Sequence, residues 1–174
     1  MKRQLTGRKS QRGSAMVEFA IAGIAGVTLL ISTVQLSLVM WNYHTLAHAV
    51  HETNRYVASH GRSCSSGGNS CSINVNDVAT KLKSLAIGIP SNSVAVTLTS
   101  HNGTVQTCAP LDSCLGNTTQ WPPIANLDNN PGNYSTITAR LPLHPAIVAL
   151  WYGTSGTAIH SVTLPATSKV KIVF

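Results

Sequence analysis

The hydrophobic pattern of the chain opens with an apolar stretch at residues 19–41 that contains no charged residue. As an α-helix, these 23 residues span about 34 Å, which is enough to cross the hydrocarbon core of a bilayer with some tilt. Trp41 and Tyr43 follow at its far end, and aromatic side chains of this kind favour the membrane interface. The pattern predicts a membrane-spanning helix.

Helical spacing continues beyond the apolar stretch. Leu46, Val50 and Val57 recur at intervals of four and seven on a segment that otherwise bears His, Glu, Asn and Arg. Gly61 is a suitable helix stop. One long helix is therefore expected over residues 14–60, apolar on all sides in its first half and amphipathic in its second.

After a Ser/Gly-rich loop at residues 61–73, either Asn74 or Asn76 can cap a second helix that runs to about Ile87. His101, Asn102 and Gly103 separate two of the segments that follow and indicate a hairpin. Residues 112–133 are rich in Asn, Pro, Gly and Thr and predict a long, exposed loop. Strands are expected at 94–99, 104–108, 134–141, 159–164 and 169–174.

Together these elements predict an α+β fold in three regions. Residues 1–13 form a basic leader, residues 14–60 the transmembrane and amphipathic helix, and residues 61–174 an extracytoplasmic α+β domain with a small antiparallel sheet. The length of 174 residues leaves room for one modest domain after the helix.

The formal charge of +7 is concentrated at the N-terminus. Beyond residue 13, seven basic residues face five acidic ones, so the remainder is nearly neutral. A basic segment before an apolar helix keeps that end cytoplasmic, and the charge therefore sets topology rather than binding nucleic acid. The leading cations are Lys2, Arg3, Arg8, Lys9 and Arg12.

The cysteines Cys64, Cys71, Cys108 and Cys114 all follow the apolar helix and so lie on the predicted outer side of the membrane. An even number of cysteines in an oxidising compartment indicates disulfides. Local pairing is expected, Cys64 with Cys71 and Cys108 with Cys114, because each pair flanks a short loop. Their spacings do not match those typical of four-cysteine zinc sites.

The chain shows no nucleophile elbow, phosphate-binding loop or dinucleotide-binding motif, so neither catalysis nor a cofactor is expected. His44, His48 and His51 share one face of the predicted helix beyond the membrane, beside Glu52. Such spacing is compatible with a divalent metal, but a solvated polar face is the preferred interpretation and no metal site is assigned.

Glu18 is the residue whose position needs a reason. It stands at the mouth of the apolar stretch. An acid in a membrane helix costs about 2.5–3.5 kcal/mol at mid-bilayer and therefore usually has a partner or a task. Residues 12–19 read Arg-Gly-Ser-Ala-Met-Val-Glu-Phe. A basic leader is thus followed by Gly13 and, five and six residues later, by Glu18 and Phe19.

This segment resembles the processing and assembly signal of type IV pilins, and most closely that of the TadE-like pseudopilins of tight-adherence pilus systems. The likeness continues more weakly through the apolar helix to residues 49–59. The resemblance implies that a prepilin peptidase cleaves between Gly13 and Ser14, that Glu18 and Phe19 serve assembly, and that the partners are other pilins and pilus assembly proteins. It also implies the bacterial inner membrane, with the C-terminal domain periplasmic.

The residues themselves give a physical basis for a role of Glu18 in assembly. Cleavage after Gly13 would create an ammonium group on Ser14, about one helical turn from Glu18 and within reach of a neighbouring subunit. The alternative is an uncleaved single-pass membrane protein whose extracytoplasmic domain binds a partner or a ligand.

Overall fold

A computed structural model describes residues 12–61, 72–143 and 162–173. Helix α1 spans Arg12–Ala58, within two residues of the predicted bounds at each end. Its last turn meets the end of the sheet, where the Val173 N–H donates to the Ala58 carbonyl at 3.1 Å. This bond satisfies one of the carbonyl groups that a helix end leaves without a partner.

Helix α2 spans Val75–Leu85, and Asn74 is its N-cap. The Asn74 side chain accepts from the Asp77 N–H at 2.9 Å, while the Asp77 carboxylate accepts from the Asn74 N–H at 3.0 Å. This reciprocal capping box decides between the two caps that the sequence offered. Past the end of the helix, Gly88 adopts a φ of +82°, which suits glycine.

Four antiparallel strands form one sheet in the order β2-β1-β3-β4. Strands β1 and β2 form the predicted hairpin, and β3 pairs with both β1 and β4. The strands are β1 (Ala95–Thr99), β2 (Val105–Cys108), β3 (Tyr134–Leu143) and β4 (Val162–Lys171). The predicted α+β class is confirmed.

The prediction of two strands near the C-terminus, at 159–164 and 169–174, is wrong. Pairing with β3 continues without interruption through Pro165, which lies opposite Arg140. Proline removes one N–H donor, but β4 is at the edge of the described sheet, where a missing donor breaks no ladder. One strand therefore replaces two, while residues 159–161 and 174 lie outside the described residues.

The core lies between the inner face of the sheet and the two helices. Leu46, Val50 and Val57 of α1 are fully buried, as is Ile137 of β3. Burying each such side chain contributes about 1.5–3 kcal/mol. Asn54 sits among them with no exposure, and its Nδ2 donates to the Ser135 carbonyl at 3.1 Å and the Ser168 carbonyl at 2.8 Å. A single amide thus joins α1 to both β3 and β4.

The segment 112–133 differs from the exposed loop that its composition predicts. Trp121 and Asp128 are buried within it. The Asp128 carboxylate accepts from the Ser100 hydroxyl at 2.5 Å and from the Asn102 N–H at 3.0 Å, so it fastens the β1–β2 turn from below. Polar composition indicates irregular backbone correctly, but it does not show which side chains turn inward.

Candidate membrane and assembly helix

The first two thirds of α1 carry their apolar side chains outward. Exposed fractions are 81% for Phe19, 69% for Leu29 and 66% for Trp41, and Leu46 is the first buried side chain along the described helix. Residues 12–45 therefore project about 50 Å from the rest of the described structure, which we call the head (residues 46–61, 72–143 and 162–173). So large an apolar surface is not left in water, and α1 has the length and composition to cross a membrane.

Hydroxyl groups inside this apolar stretch are satisfied by the helix itself. The side chain of Ser32 donates to the Thr28 carbonyl at 2.6 Å, and that of Thr33 to the Leu29 carbonyl at 2.9 Å. Ser37 makes the same contact with Thr33. Because these bonds remain within the helix, the hydroxyl groups do not need water and are compatible with lipid.

Glu18 lies on the exposed surface of α1, one turn after Ser14. No lysine or arginine occurs between Arg12 and Arg55, so residues 13–54 supply no permanent positive charge to this acid. Its neighbour Phe19 points outward as well. The carboxylate is therefore open to the surroundings of the helix and makes no contact with the head.

Gly13 and Ser14, at the predicted cleavage bond, lie in the first turn of α1, which begins at Arg12. The N–H groups of a first turn lack helical partners, and glycine is a poor helix former. The bond is therefore placed where a helix opens at least cost, and a peptidase would have to unwind one turn to reach it.

The three histidines occupy the face of α1 that is turned away from the head. His44, His48 and His51 are exposed, whereas Leu46 and Val50 between them are buried. The His51 Nδ1 lies 3.7 Å from the Glu52 carboxylate. Within the described ranges, no three potential ligands lie close enough together to hold a metal ion.

Where α1 ends, Tyr56 lies beside α2 in a shallow groove of about 380 Å³. Partial burial, followed by the negative charge of Asp77, raises the pKa of the Tyr56 phenol. The Lys81 ammonium stands 5.7 Å from the ring centroid, and the His60 ring packs on it at 4.3 Å. These contacts tie the end of α1 to α2.

The second predicted cysteine pair is confirmed. Cys108 and Cys114 form a disulfide with a Cα–Cα distance of 5.5 Å, joining the end of β2 to the turn that follows. On the same turn, hydrogen bonds from Lys83 and then Ser91 lower the pKa of Asp112. The predicted Cys64–Cys71 pair lies outside the described residues.

Sequence reasoning did not single out Asn54 or Asp128, the two buried polar side chains that organise the head. Asn54 had a readable signal, since it falls between Val50 and Val57 on the face that the periodicity marks as buried. Asp128 had none, because the groups that donate hydrogen bonds to its carboxylate belong to a turn 24 to 28 residues earlier in the chain.

Among the described residues, fold and site define one helix that could cross a membrane and that carries an α+β head at one end. The family model described as TadE-like protein matches residues 13–55, which span the predicted cleavage site, the apolar stretch and the start of the head. This match confirms the resemblance seen in the N-terminal residues and covers the N-terminal part of the chain. The TadE-like family is in general not enzymatic. No curated protein and no solved structure matches the chain.

Proposed function

We propose that this protein is a minor pilin or pseudopilin that takes part in assembly of a tight-adherence type IV pilus. The observation that carries the proposal is Glu18, an exposed carboxylate on an apolar helix, within a segment that matches the TadE-like family from Gly13 onward. Its mechanism is association: the helix packs among other pilus helices while the head selects partners.

The proposed association begins with cleavage after Gly13 by a prepilin peptidase. The new Ser14 ammonium supplies the cation that residues 13–54 otherwise lack, and a neighbouring subunit's ammonium can meet Glu18 in the same way. In a low-dielectric surrounding such a pair offsets the cost of the buried acid and fixes the stagger between two helices.

Helix packing in the assembly has a surface suited to it. Gly23 and Gly26 lie on α1 with open space where a Cβ would stand. Small residues of this kind let the backbones of two membrane helices approach closely. The apolar side chains around them would then exchange lipid contacts for contacts with other subunits.

Mass spectrometry of the protein purified from its native membranes tests the cleavage step. We expect an N-terminus at Ser14 in cells that carry the cognate peptidase and an intact leader when the peptidase gene is deleted. An intact leader in both strains contradicts processing and supports the uncleaved single-pass alternative.

The pairing step is tested with Glu18→Ala. We expect the variant to be inserted and processed normally but to yield about tenfold fewer sheared pili, since one salt bridge made in the membrane is lost. Glu52→Ala is the matched control, because it removes the other glutamate of α1 outside the apolar stretch. Normal pilus yield from Glu18→Ala would refute the pairing role.

A further inference from the structure

The sheet face turned away from the helices is rich in hydroxyl groups. Rows of side chains follow from the strand register: Thr107, Thr97, Thr138 and Thr167 lie side by side across all four strands. The hydroxyls of Thr138 and Thr167 are 3.2 Å apart, which confirms that they share this face. Strand spacing places such hydroxyls about 4.8 Å apart across the sheet and about 7 Å apart along it.

The same face is positively charged. Arg140 of β3 and Lys169 and Lys171 of β4 are all exposed on it. The two lysines are about 7 Å apart along β4. Arg140 lies opposite Pro165, which is about 13 Å from Lys169 along the same strand. The two lysines flank the hydroxyl rows on edge strand β4, and Arg140 lies one strand inward, toward the other end of β3.

No acid offsets these cations. The chain has five acidic residues. Glu18 and Glu52 lie on α1, Asp77 on α2 and Asp112 beside Lys83, while Asp128 is fully buried under the β1–β2 turn. The outer sheet face therefore attracts an anionic partner and repels a second copy of itself.

The chemistry of the face also separates the classes of anionic partner. Protein interfaces centre on buried aromatic or arginine anchors and are poor in lysine, whereas this face has a threonine lattice at its centre. Single-stranded nucleic acid needs open aromatic rings for stacking. On the described strands of this face the one aromatic side chain is Tyr134. The Lys169 ammonium lies 4.7 Å from its ring centroid and so already occupies the ring face on which a base would stack.

We infer that the outer sheet face binds an acidic polysaccharide, with Arg140, Lys169 and Lys171 pairing with its carboxylates and the threonine rows hydrogen-bonding to its sugar hydroxyls. Such binding requires neither cleavage after Gly13 nor the Glu18 contact. It can therefore be tested independently of the role in pilus assembly, and its failure leaves that role untouched.

The test uses the full-length protein in detergent micelles and polygalacturonate as the probe, with dextran of matched length as the neutral control. Biolayer interferometry at low ionic strength should show saturable binding to polygalacturonate and none to dextran. Binding should weaken as salt is added, because the contacts are exposed ion pairs.

Two variants of the face and one control variant on the helices locate the site. Lys169→Gln with Lys171→Gln should weaken binding about tenfold or more. The control, Arg55→Gln with Lys81→Gln, removes an equal number of positive charges from the helices and should leave affinity unchanged. Thr138→Val with Thr167→Val keeps the charge and should weaken binding about threefold through loss of hydroxyl contacts. Near-ultraviolet circular dichroism of each variant verifies the fold.

Several results would overturn the inference. Equal losses in the two charge variants would show nonspecific attraction. Unchanged affinity in the threonine variant would remove the hydroxyl contacts, and tighter binding of single-stranded DNA than of polygalacturonate would reassign the face to nucleic acid. Absence of binding to polygalacturonate would end the proposal outright.

Discussion

Among the described residues, Leu127 alone combines a positive φ, of 60°, with a side chain other than that of glycine. The left-handed region costs a non-glycine residue about 1–2 kcal/mol. Leu127 is half exposed, so its burial offsets little of this cost. The Asn133 amide donates to its carbonyl at 2.8 Å and holds the turn that places Asp128 beneath the hairpin.

Replacing Leu127 with glycine should therefore stabilise the protein by about 0.5–1 kcal/mol, since relief of the strain exceeds the added freedom of the unfolded chain. Leu115→Gly is the matched control: Leu115 is 37% exposed and has an ordinary φ of −67°. Urea titration of the full chain in micelles should move the two midpoints in opposite directions. Loss of stability in Leu127→Gly would contradict the strain.

Buried polar residues are also where prediction from sequence reaches its limit at this scale. A chain read in one dimension shows that Asn54 falls on a buried face, but not which carbonyls it meets, because Ser135 and Ser168 lie 81 and 114 positions away. Capping is different. Asn74 and Asp77 are three residues apart, and that local pairing was within reach of sequence reasoning.

At the scale of elements, local patterns of apolar and turn residues predicted α1, α2, the hairpin and most of β3. The failure at β4 has a physical cause. The sequence from 162 to 171 contains Pro165, and neighbouring polar residues suggest a break, yet ten consecutive pairings with β3 hold it as one strand. Long-range pairing supplies that order, and no local pattern records it.

The contact between α1 and the sheet makes a testable element-scale claim. Asn54→Ala should lower the free energy of unfolding by about 1–3 kcal/mol, because two strand carbonyls lose their shared donor in a dry interface. Arg55→Ala, next in sequence but exposed, should change it by less than about 0.5 kcal/mol. Urea titration followed by tryptophan fluorescence measures both. Similar effects of the two substitutions would argue against the anchoring role of Asn54.

At the scale of the whole molecule, α1 joins two environments without a break. The same helix that exposes Trp41 buries Leu46, so the head is attached to the membrane segment through continuous helical backbone. The N-terminal part of this arrangement was predictable from charge, hydropathy and the family resemblance. The outer sheet face was not, because it exists only once four separate strands lie in register.

The predicted orientation can be measured with C-terminal fusions. Alkaline phosphatase fused after residue 174 should be active, since its disulfides form only outside the cytoplasm, whereas green fluorescent protein exported to the same place should be dark. Replacing Lys2, Arg3, Arg8, Lys9 and Arg12 with glutamine should reduce phosphatase activity severalfold by removing the charge bias. Bright fluorescence from the unaltered chain would reverse the assigned topology.

The bonds from Asn54 to Ser135 and Ser168 can form only late in the synthesis of the chain. Ribosomes add about 5–20 residues per second, so the 114 positions that separate Asn54 from Ser168 take on the order of ten seconds to synthesise. During that interval the membrane helix can insert, while the inner face of the amphipathic half waits for β4. The head is therefore completed late, and its unpaired strands are the part of the chain that stays exposed longest during synthesis.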